Sequence, residues 1–246
     1  MRLGILVVAR MGSSRFPGKI LKDLSGETML SFQHKRLQLV GGNPDFILCT
    51  TLNAEDDYLA SQALNMGYKV YRGSSEDVLG RIEGAVNQTG LDLVMVVLGD
   101  NPLVDHQIAK RCVCEVIEKG VGYCAPLTRE YSLNGLLEPT MFPIGIRVQV
   151  MLPEVIHTIS RLAKTPDLRE HSTSLIQSFP ERFGAKLLHA DDEIHALNEL
   201  NLSVNTSADL ARLNLLLEFD PDIAYQSIYE SSGAIRRFFD DEICPK

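Results

Sequence analysis

The chain has 246 residues, 45% of them hydrophobic and 23% charged, enough apolar mass to bury a sizeable core without metal or disulfide support. A formal net charge of −8 with no basic block excludes broad contact with nucleic acid, so an anionic ligand must be held by locally placed Arg, Lys and backbone N–H groups. No apolar run reaches transmembrane length. The opening run at residues 3–9 is too short for a secretory signal and Arg10 follows it at once, so a cytoplasmic protein without a membrane partner is expected.

Apolar, β-branched runs alternate with helical periods through the first half, which predicts a βαβ series and a largely parallel sheet. A strand at 3–9 leads into a loop and then a helix at about 28–40; residues 46–50 form the second strand. Asn53 is placed to cap the next helix, with Asp56 supporting its first turn. A short strand at 69–71 precedes a helix that opens near Ser75-Glu76-Asp77, where acids suit the helix dipole. Residues 93–98 are apolar throughout, as in a central strand covered on both faces. That strand ends in Gly99-Asp100-Asn101-Pro102, and Asp105 caps the helix that runs to about Lys119.

A strand at 122–125 precedes an irregular excursion from Pro126 to Pro143. Residues 144–151 read as a strand, 153–162 and 168–179 as helices, and 186–188 and 202–204 as short strands. Ser207 opens a helix carrying Leu210, Leu213 and Leu217. The cluster His189, Asp191, Asp192, Glu193 and His195 reads as a solvated loop, because no regular element fixes a ligand geometry there. Cys49, Cys112, Cys114, Cys124 and Cys244 are scattered, and Cys112 and Cys114 point to different faces of a helix, so buried reduced thiols are expected. The whole order fits one doubly wound α/β domain over 1–246, with 126–151 inserted as a substrate- or dimer-contact segment.

In an open α/β sheet, ligands bind at the C-terminal ends of the strands. The stretch Ala9-Arg10-Met11-Gly12-Ser13-Ser14-Arg15-Phe16-Pro17-Gly18-Lys19 lies there. Gly12, Ser13, Ser14 and Gly18 let backbone N–H groups approach an anion, Arg10, Arg15 and Lys19 supply positive charge, and Pro17 stiffens the turn. Such a density of cations in an acidic chain points to an anion between them. A Walker A loop has four residues between its glycines and Ser or Thr after its Lys, whereas five separate Gly12 from Gly18 and Ile20 follows Lys19. The G-x-G-x-x-G dinucleotide fingerprint is absent as well. The loop reads as a nucleoside-triphosphate site of neither kind.

The same stretch resembles the nucleotide-binding signature of the cytidylyltransferases that activate acidic sugars, approximately A-R-x-G-S-x-R-x-P-G-K. It is similar to the spore-coat polysaccharide biosynthesis protein F type, related to the CMP-sialate and CMP-octulosonate synthetases. Matching stretches follow in order at 53–57, 72–79, 99–103, Arg169-Glu170-His171 and 202–206. The resemblance implies a single, mostly parallel sheet of the nucleotide-diphospho-sugar transferase type, GT-A or Rossmann-like. It also implies a reaction in which CTP and an acidic or unusual sugar give a CMP-sugar and pyrophosphate, for surface polysaccharide or glycoconjugate synthesis.

On that resemblance Ala9, Arg10, Gly12, Ser13, Ser14, Arg15 and Lys19 hold the triphosphate, with Arg15 and Lys19 offsetting charge on the leaving pyrophosphate, and Arg72 helps to recognise the base. Asp100 is implied as a Mg²⁺ ligand, since that hard ion takes carboxylate and phosphate oxygens. Asn205 stands where the family commonly has a further metal-binding Asp; its amide oxygen coordinates without adding charge. Arg147 and Gln149 stand where the spore-coat type usually carries acids, so Arg147 is expected to pair with a substrate carboxylate or phosphate. His171 is implied to face the sugar, and a homodimer is implied by the related enzymes. Two alternatives stand beside this reading. One is transfer of another nucleotide to a sugar phosphate, less favoured because the loop has the Arg-x-Gly-Ser-Ser-Arg form. The other is a non-catalytic nucleotide-binding protein, motivated by Asn205, Arg147 and Gln149.

Overall fold

In chain order, β1 (Leu3–Val8) is followed by a two-stranded ribbon of β2 (Asp23–Leu24) and β3 (Glu27–Thr28). Then come α1 (Met29–Gln38), β4 (Asp45–Thr51), α2 (Asp57–Asn65), β5 (Lys69–Gly73), α3 (Val78–Thr89), β6 (Leu93–Leu98) and α4 (His106–Lys119). The second half brings β7 (Tyr123–Pro126), β8 (Gln149–Met151), α5 (Pro153–Leu162), α6 (Pro166–Glu170) and α7 (Ser174–Ser178). It closes with β9 (Ala185–Leu188), α8 (Asp192–His195), α9 (Ser207–Phe219) and α10 (Ile228–Ile243). Residues 1–129, 140–171 and 173–243 are described by this computed structural model.

The main sheet has the order β5-β4-β1-β6-β8-β7-β9. β5, β4, β1 and β6 run parallel, β8 runs antiparallel between β6 and β7, and β9 is parallel to β7. Alternate residues of β1 and β6 feed two cores: Ile5, Val7, Met95 and Val97 pack into one, and Leu6, Val8, Val94 and Val96 into the other. The all-apolar run of β6 is thereby explained, since both of its faces are buried. This is the mostly parallel, doubly covered α/β sheet that the alternating pattern predicts.

Several local expectations change. The strand expected at 144–151 begins only at Gln149, and residues 144–146 instead meet Asn201 and Leu202 through an isolated bridge. Residues 202–204 are no strand; Leu202 N–H donates to the Ile144 carbonyl and Val204 N–H to the Asp100 carbonyl. The helix expected at 168–179 is split into α6 and α7, with His171 and Thr173 outside both. The polar segment around 191–195 is the short helix α8, capped by Asp191 and anchored by buried Ile194. Cys112 is buried as expected, but Cys114 two residues on is exposed, and the four cysteines among the described residues are free. Cys244 and residues 130–139 of the expected excursion lie outside the described residues. The described ends of that excursion meet where Phe142 N–H donates to the Leu127 carbonyl.

Candidate active site

Three parallel strands finish side by side. Val8 pairs with Cys49 of β4 and with Leu98 of β6, Ala9 N–H donates to the Cys49 carbonyl, and Gly99 N–H donates to the Val8 carbonyl. The loop after β1 and Asp100 after β6 therefore leave the sheet at one edge. β8 runs the other way, so its first residue, Gln149, lies opposite Val96 near that same edge. Reversal of β8 is what brings Arg147 and Gln149 to the cleft.

The loop is closed by one carbonyl. Met11 O accepts from Ser13 N–H at 2.9 Å and from Gly18 N–H at 2.8 Å. Gly18 has φ 69°, a left-handed conformation that a side chain disfavours, and it starts the short 3₁₀ turn Lys19–Leu21. The Ser13 N–H is thus spent on the turn, whereas those of Ser14 and Arg15 take no part in its backbone bonds.

Lys19 is the tie between the walls. Its Nζ donates to Asp100 Oδ2 at 3.1 Å, to the Val204 carbonyl at 2.7 Å and to Asn205 Oδ1 at 3.4 Å. Arg15 Nη2 donates to the same Asn205 oxygen at 3.1 Å. Asn205 is itself held by the start of α9, its N–H donating to Asp209, whose carboxylate also completes a capping box with Thr206.

Two chambers open here. The first, about 370 Å³, is lined by Ala9, Arg10, Ser13, Ser14, Arg15, Lys19 and Arg81. The second, about 460 Å³, is lined by Arg147, Gln149, Thr173, Ser174, Gln177 and Ser203 over an aliphatic floor of Ile82 and Val96. Arg15, Asp100, Glu170, His171 and Asn205 border both. Arg147 Nη2 donates to Thr173 Oγ1 at 3.1 Å, which steadies the guanidinium at the wall of the second chamber. The first chamber concentrates positive charge and the second offers mixed hydrogen-bonding groups with one buried guanidinium, so together they suit a polyanion beside a polyol.

Arg72 is the residue that the cleft does not gather in. Its Nε donates to the Thr51 carbonyl at 2.7 Å, Nη2 to the Asn53 carbonyl at 2.8 Å, and Nη1 pairs with Asp57 at 2.6 Å. It borders a separate surface depression over α2. Its fork clamps the β4–α2 turn, outside the first chamber. An Arg72→Ala variant is expected to hold CTP within about twofold of wild type while losing about 1–2 kcal/mol of stability, read by nucleotide titration and denaturant unfolding. Gly12 is likewise absent from the chamber lining and passes against Glu55, where a Cβ would overlap the carboxylate.

Besides Arg10 and Arg15, the guanidinium of Arg81 reaches the first chamber; it lies one turn into α3 and is 2% exposed. Its Nη1 donates to the Ser74 carbonyl, and its Nε has no partner among the described residues. Burial pulls its pKa down, the nearby thiol of Cys49 acts the other way, and the Arg10 charge lowers it further. Sequence reasoning missed Arg81, although it lies four residues after the cap Asp77, on the turn that faces the helix start. Glu170, Thr173 and Gln177 were missed because the break between α6 and α7 has no sequence period to announce it.

Asp100 and Asn205 both lend an oxygen to the Lys19 ammonium, within 3.4 Å of its Nζ, so the two side chains are neighbours in the cleft. One carboxylate and one amide oxygen form a hard donor set that fits a small divalent ion together with phosphate oxygens. Among the described residues no group of three His, Cys, Asp or Glu could hold a metal ion.

The sheet order, with its single reversed strand and its cleft at the C-terminal edge, is a fold shared with solved cytidylyltransferase structures. A cytidylyltransferase from Leptospira borgpetersenii superposes with a TM-score of 0.83, at 22% identity over 99% of this chain and 96% of that one. A CMP:2-keto-3-deoxy-manno-octonic acid synthetase complexed with CTP superposes with a TM-score of 0.63, at 16% identity over 89% and 99%. The family profile described as cytidylyltransferase matches residues 4–196, and the chain belongs to that family. It is 26% identical over 218 residues to the spore coat polysaccharide biosynthesis protein SpsF of Bacillus subtilis, covering 87% of this chain and 85% of that one. It is 39% identical over 110 residues, 43% of each chain, to an 8-amino-3,8-dideoxy-manno-octulosonate cytidylyltransferase of Shewanella piezotolerans. Among the described residues no helix is long and apolar enough to cross a membrane.

Proposed function

We propose that this protein transfers CMP from CTP to an acidic or otherwise unusual sugar, releasing pyrophosphate, in the synthesis of a surface polysaccharide or glycoconjugate. The observation that carries this reading is the pair of adjoining chambers, one with Arg10, Arg15, Lys19 and Arg81 and the other with Arg147 and Gln149, bordered jointly by Asp100. The printed names of the relatives, one for spore coat polysaccharide synthesis and one for octulosonate activation, support the sugar class.

A sugar hydroxyl in the second chamber attacks the α-phosphorus in line, its proton passes to solvent water, and the bond to pyrophosphate breaks. Positioning and charge neutralisation carry most of the rate, because little covalent chemistry falls to the protein. Arg10, Arg15 and Arg81 face the triphosphate, and Lys19 offsets charge on the departing pyrophosphate. Asp100 and Asn205 are the residues that would hold Mg²⁺, which would supply Lewis-acid neutralisation of phosphate charge. Arg147 meets the carboxylate or phosphate of the sugar, and His171 faces the sugar from between α6 and α7.

Pyrophosphate release is the test, measured with CTP, UTP, GTP and ATP against a panel of keto-sugar acids and neutral sugars. Release is expected with CTP and at least one acid. Binding of CTP without release from any sugar would favour a non-catalytic protein. With an active acid in hand, Arg147→Ala should raise its KM by about tenfold to a hundredfold, as expected when a charge-assisted bond of about 1.5–3 kcal/mol is lost. An unchanged KM removes Arg147 from the sugar site.

A further inference from the structure

The loop after β1 is braced from outside the cleft by a buried carboxylate. Asp56 lies in the turn between β4 and α2 and is 0% exposed. Its Oδ1 accepts from Met11 N–H at 2.6 Å, and its Oδ2 accepts from Thr51 N–H at 3.1 Å and from the Thr51 hydroxyl. Met11 is also the residue whose carbonyl closes the loop on Ser13 and Gly18. Both backbone groups of Met11 are therefore fixed, the N–H by Asp56 and the C=O by the turn. Thr51 belongs to β4 and pairs with Gly73 of β5, so the carboxylate ties the loop to the sheet itself.

A buried carboxylate is costly unless hydrogen bonds satisfy it. A helix cap would not need that burial, and Asp56 makes no side-chain cap bond to α2. Its bonds go sideways to the loop and the strand instead. The neighbouring Glu55 closes the same flank, since a Cβ on Gly12 would overlap its carboxylate oxygen.

We infer that Asp56 is a positioning residue for the nucleotide. It sets Met11 so that the N–H groups of Ser14 and Arg15 and the ammonium of Lys19 are already arranged when a triphosphate arrives. A loop ordered beforehand loses less freedom on binding, and its amides meet the anion without rearrangement. This inference rests on the nucleotide reading of the first chamber.

The test compares Asp56→Ala, Asp56→Asn and Thr51→Val in the full chain, by CTP titration calorimetry and by amide hydrogen exchange without nucleotide. Asp56→Ala releases Met11 N–H. Asp56→Asn keeps the volume but sets Nδ2 against one of two backbone donors. Both should weaken CTP binding by about tenfold or more and speed exchange at residues 12–15 by about as much, with the amides of β1 and β6 unchanged. Thr51→Val removes the hydroxyl's bond to Asp56 and the bond that hydroxyl accepts from Asn53 N–H, and leaves the bond to Met11 N–H in place; it should lower the melting temperature yet leave CTP affinity within about twofold. A merely structural role would lower the melting temperature of all three and leave CTP affinity alone.

If Asp56→Ala does not fold, Asp56→Asn decides. CTP affinity and loop exchange within about twofold of wild type in folded Asp56→Asn would overturn the inference. So would an equal loss of CTP affinity in Thr51→Val. Absence of CTP binding to the wild-type protein would defeat the nucleotide reading itself, while exchange at residues 12–15 in the variants would still decide whether Asp56 holds the loop.

Discussion

Lys19→Ala is expected to lower kcat for pyrophosphate release by about 10²–10³, the usual cost of removing one preorganised donor from a site of developing charge. The size of the effect follows from what the ammonium does in the fold. It is 13% exposed and touches the end of β6, the segment before α9 and, through Asn205, the side chain of Arg15. Removing it strips a counter-charge from Asp100 and frees both walls of the cleft together. CTP affinity should fall as well, because the same charge meets the triphosphate before transfer and the pyrophosphate after it. Lys19→Arg should recover only part of the rate, since a planar fork does not reproduce the three-way contact of a compact ammonium. A circular dichroism melt separates loss of chemistry from loss of fold. Wild-type kcat in Lys19→Ala would remove Lys19 from the mechanism.

The second large effect is expected in stability and far from the cleft. Arg36 of α1 is 3% exposed and spends its whole fork on backbone carbonyls. Nε donates to Val104 at 3.0 Å, Nη1 to Ile223 at 2.7 Å and Ala224 at 2.9 Å, and Nη2 to Gln226 at 3.0 Å. Burial pulls its pKa down to about 10, and the nearby Asp105 charge acts the other way, so it remains protonated at neutral pH. Asp105 is 0% exposed and caps α4 while accepting from Ser227 Oγ and from Ile228 N–H at 2.6 Å.

Arg36 and Asp105 together fasten the C-terminal segment to the sheet. Arg36→Met keeps the length and loses every one of these bonds, stranding buried carbonyls and the buried Asp105 charge. A loss of about 3–5 kcal/mol is expected in urea unfolding, a large share of the about 5–15 kcal/mol typical of a folded domain. The surviving folded fraction should bind CTP with near-normal affinity, because Arg36 is remote from both chambers. A loss below about 1 kcal/mol would mean that water or a shifted side chain replaces the guanidinium.

These residues differ in how far they can be read without coordinates. The loop was legible because its glycines, cations and Pro17 are consecutive, and local composition is enough to call for an anion. Asp100 was legible because an apolar strand ends at it, and strand ends in such sheets face the ligand. Arg72 was read from its resemblance and its place at a strand end, but it lies within β5, and Asp57 and two nearby carbonyls hold its fork. Asp56 was read as a helix helper because Asn53-x-x-Asp56 has capping spacing, while the bond that matters reaches 45 residues back to Met11. Arg36 looked like one more helical position, since its partners lie 68 to 190 residues away.

What the sequence determined by itself is what neighbours along the chain can decide: the alternation of strands and helices, the acidic helix start at 75–77, the cap at Asp105, and the cation-rich loop after the first strand. Tertiary structure alone decided that β8 enters reversed, which turns Arg147 and Gln149 into the cleft. It also decided that Lys19 bridges Asp100 and Asn205, and that Arg81 brings a buried guanidinium to the first chamber. The physical reason is the range of the forces involved. Periodicity and capping act within a few residues, whereas the direction of a long polar side chain is set by whichever distant donor or acceptor the fold leaves unpaired.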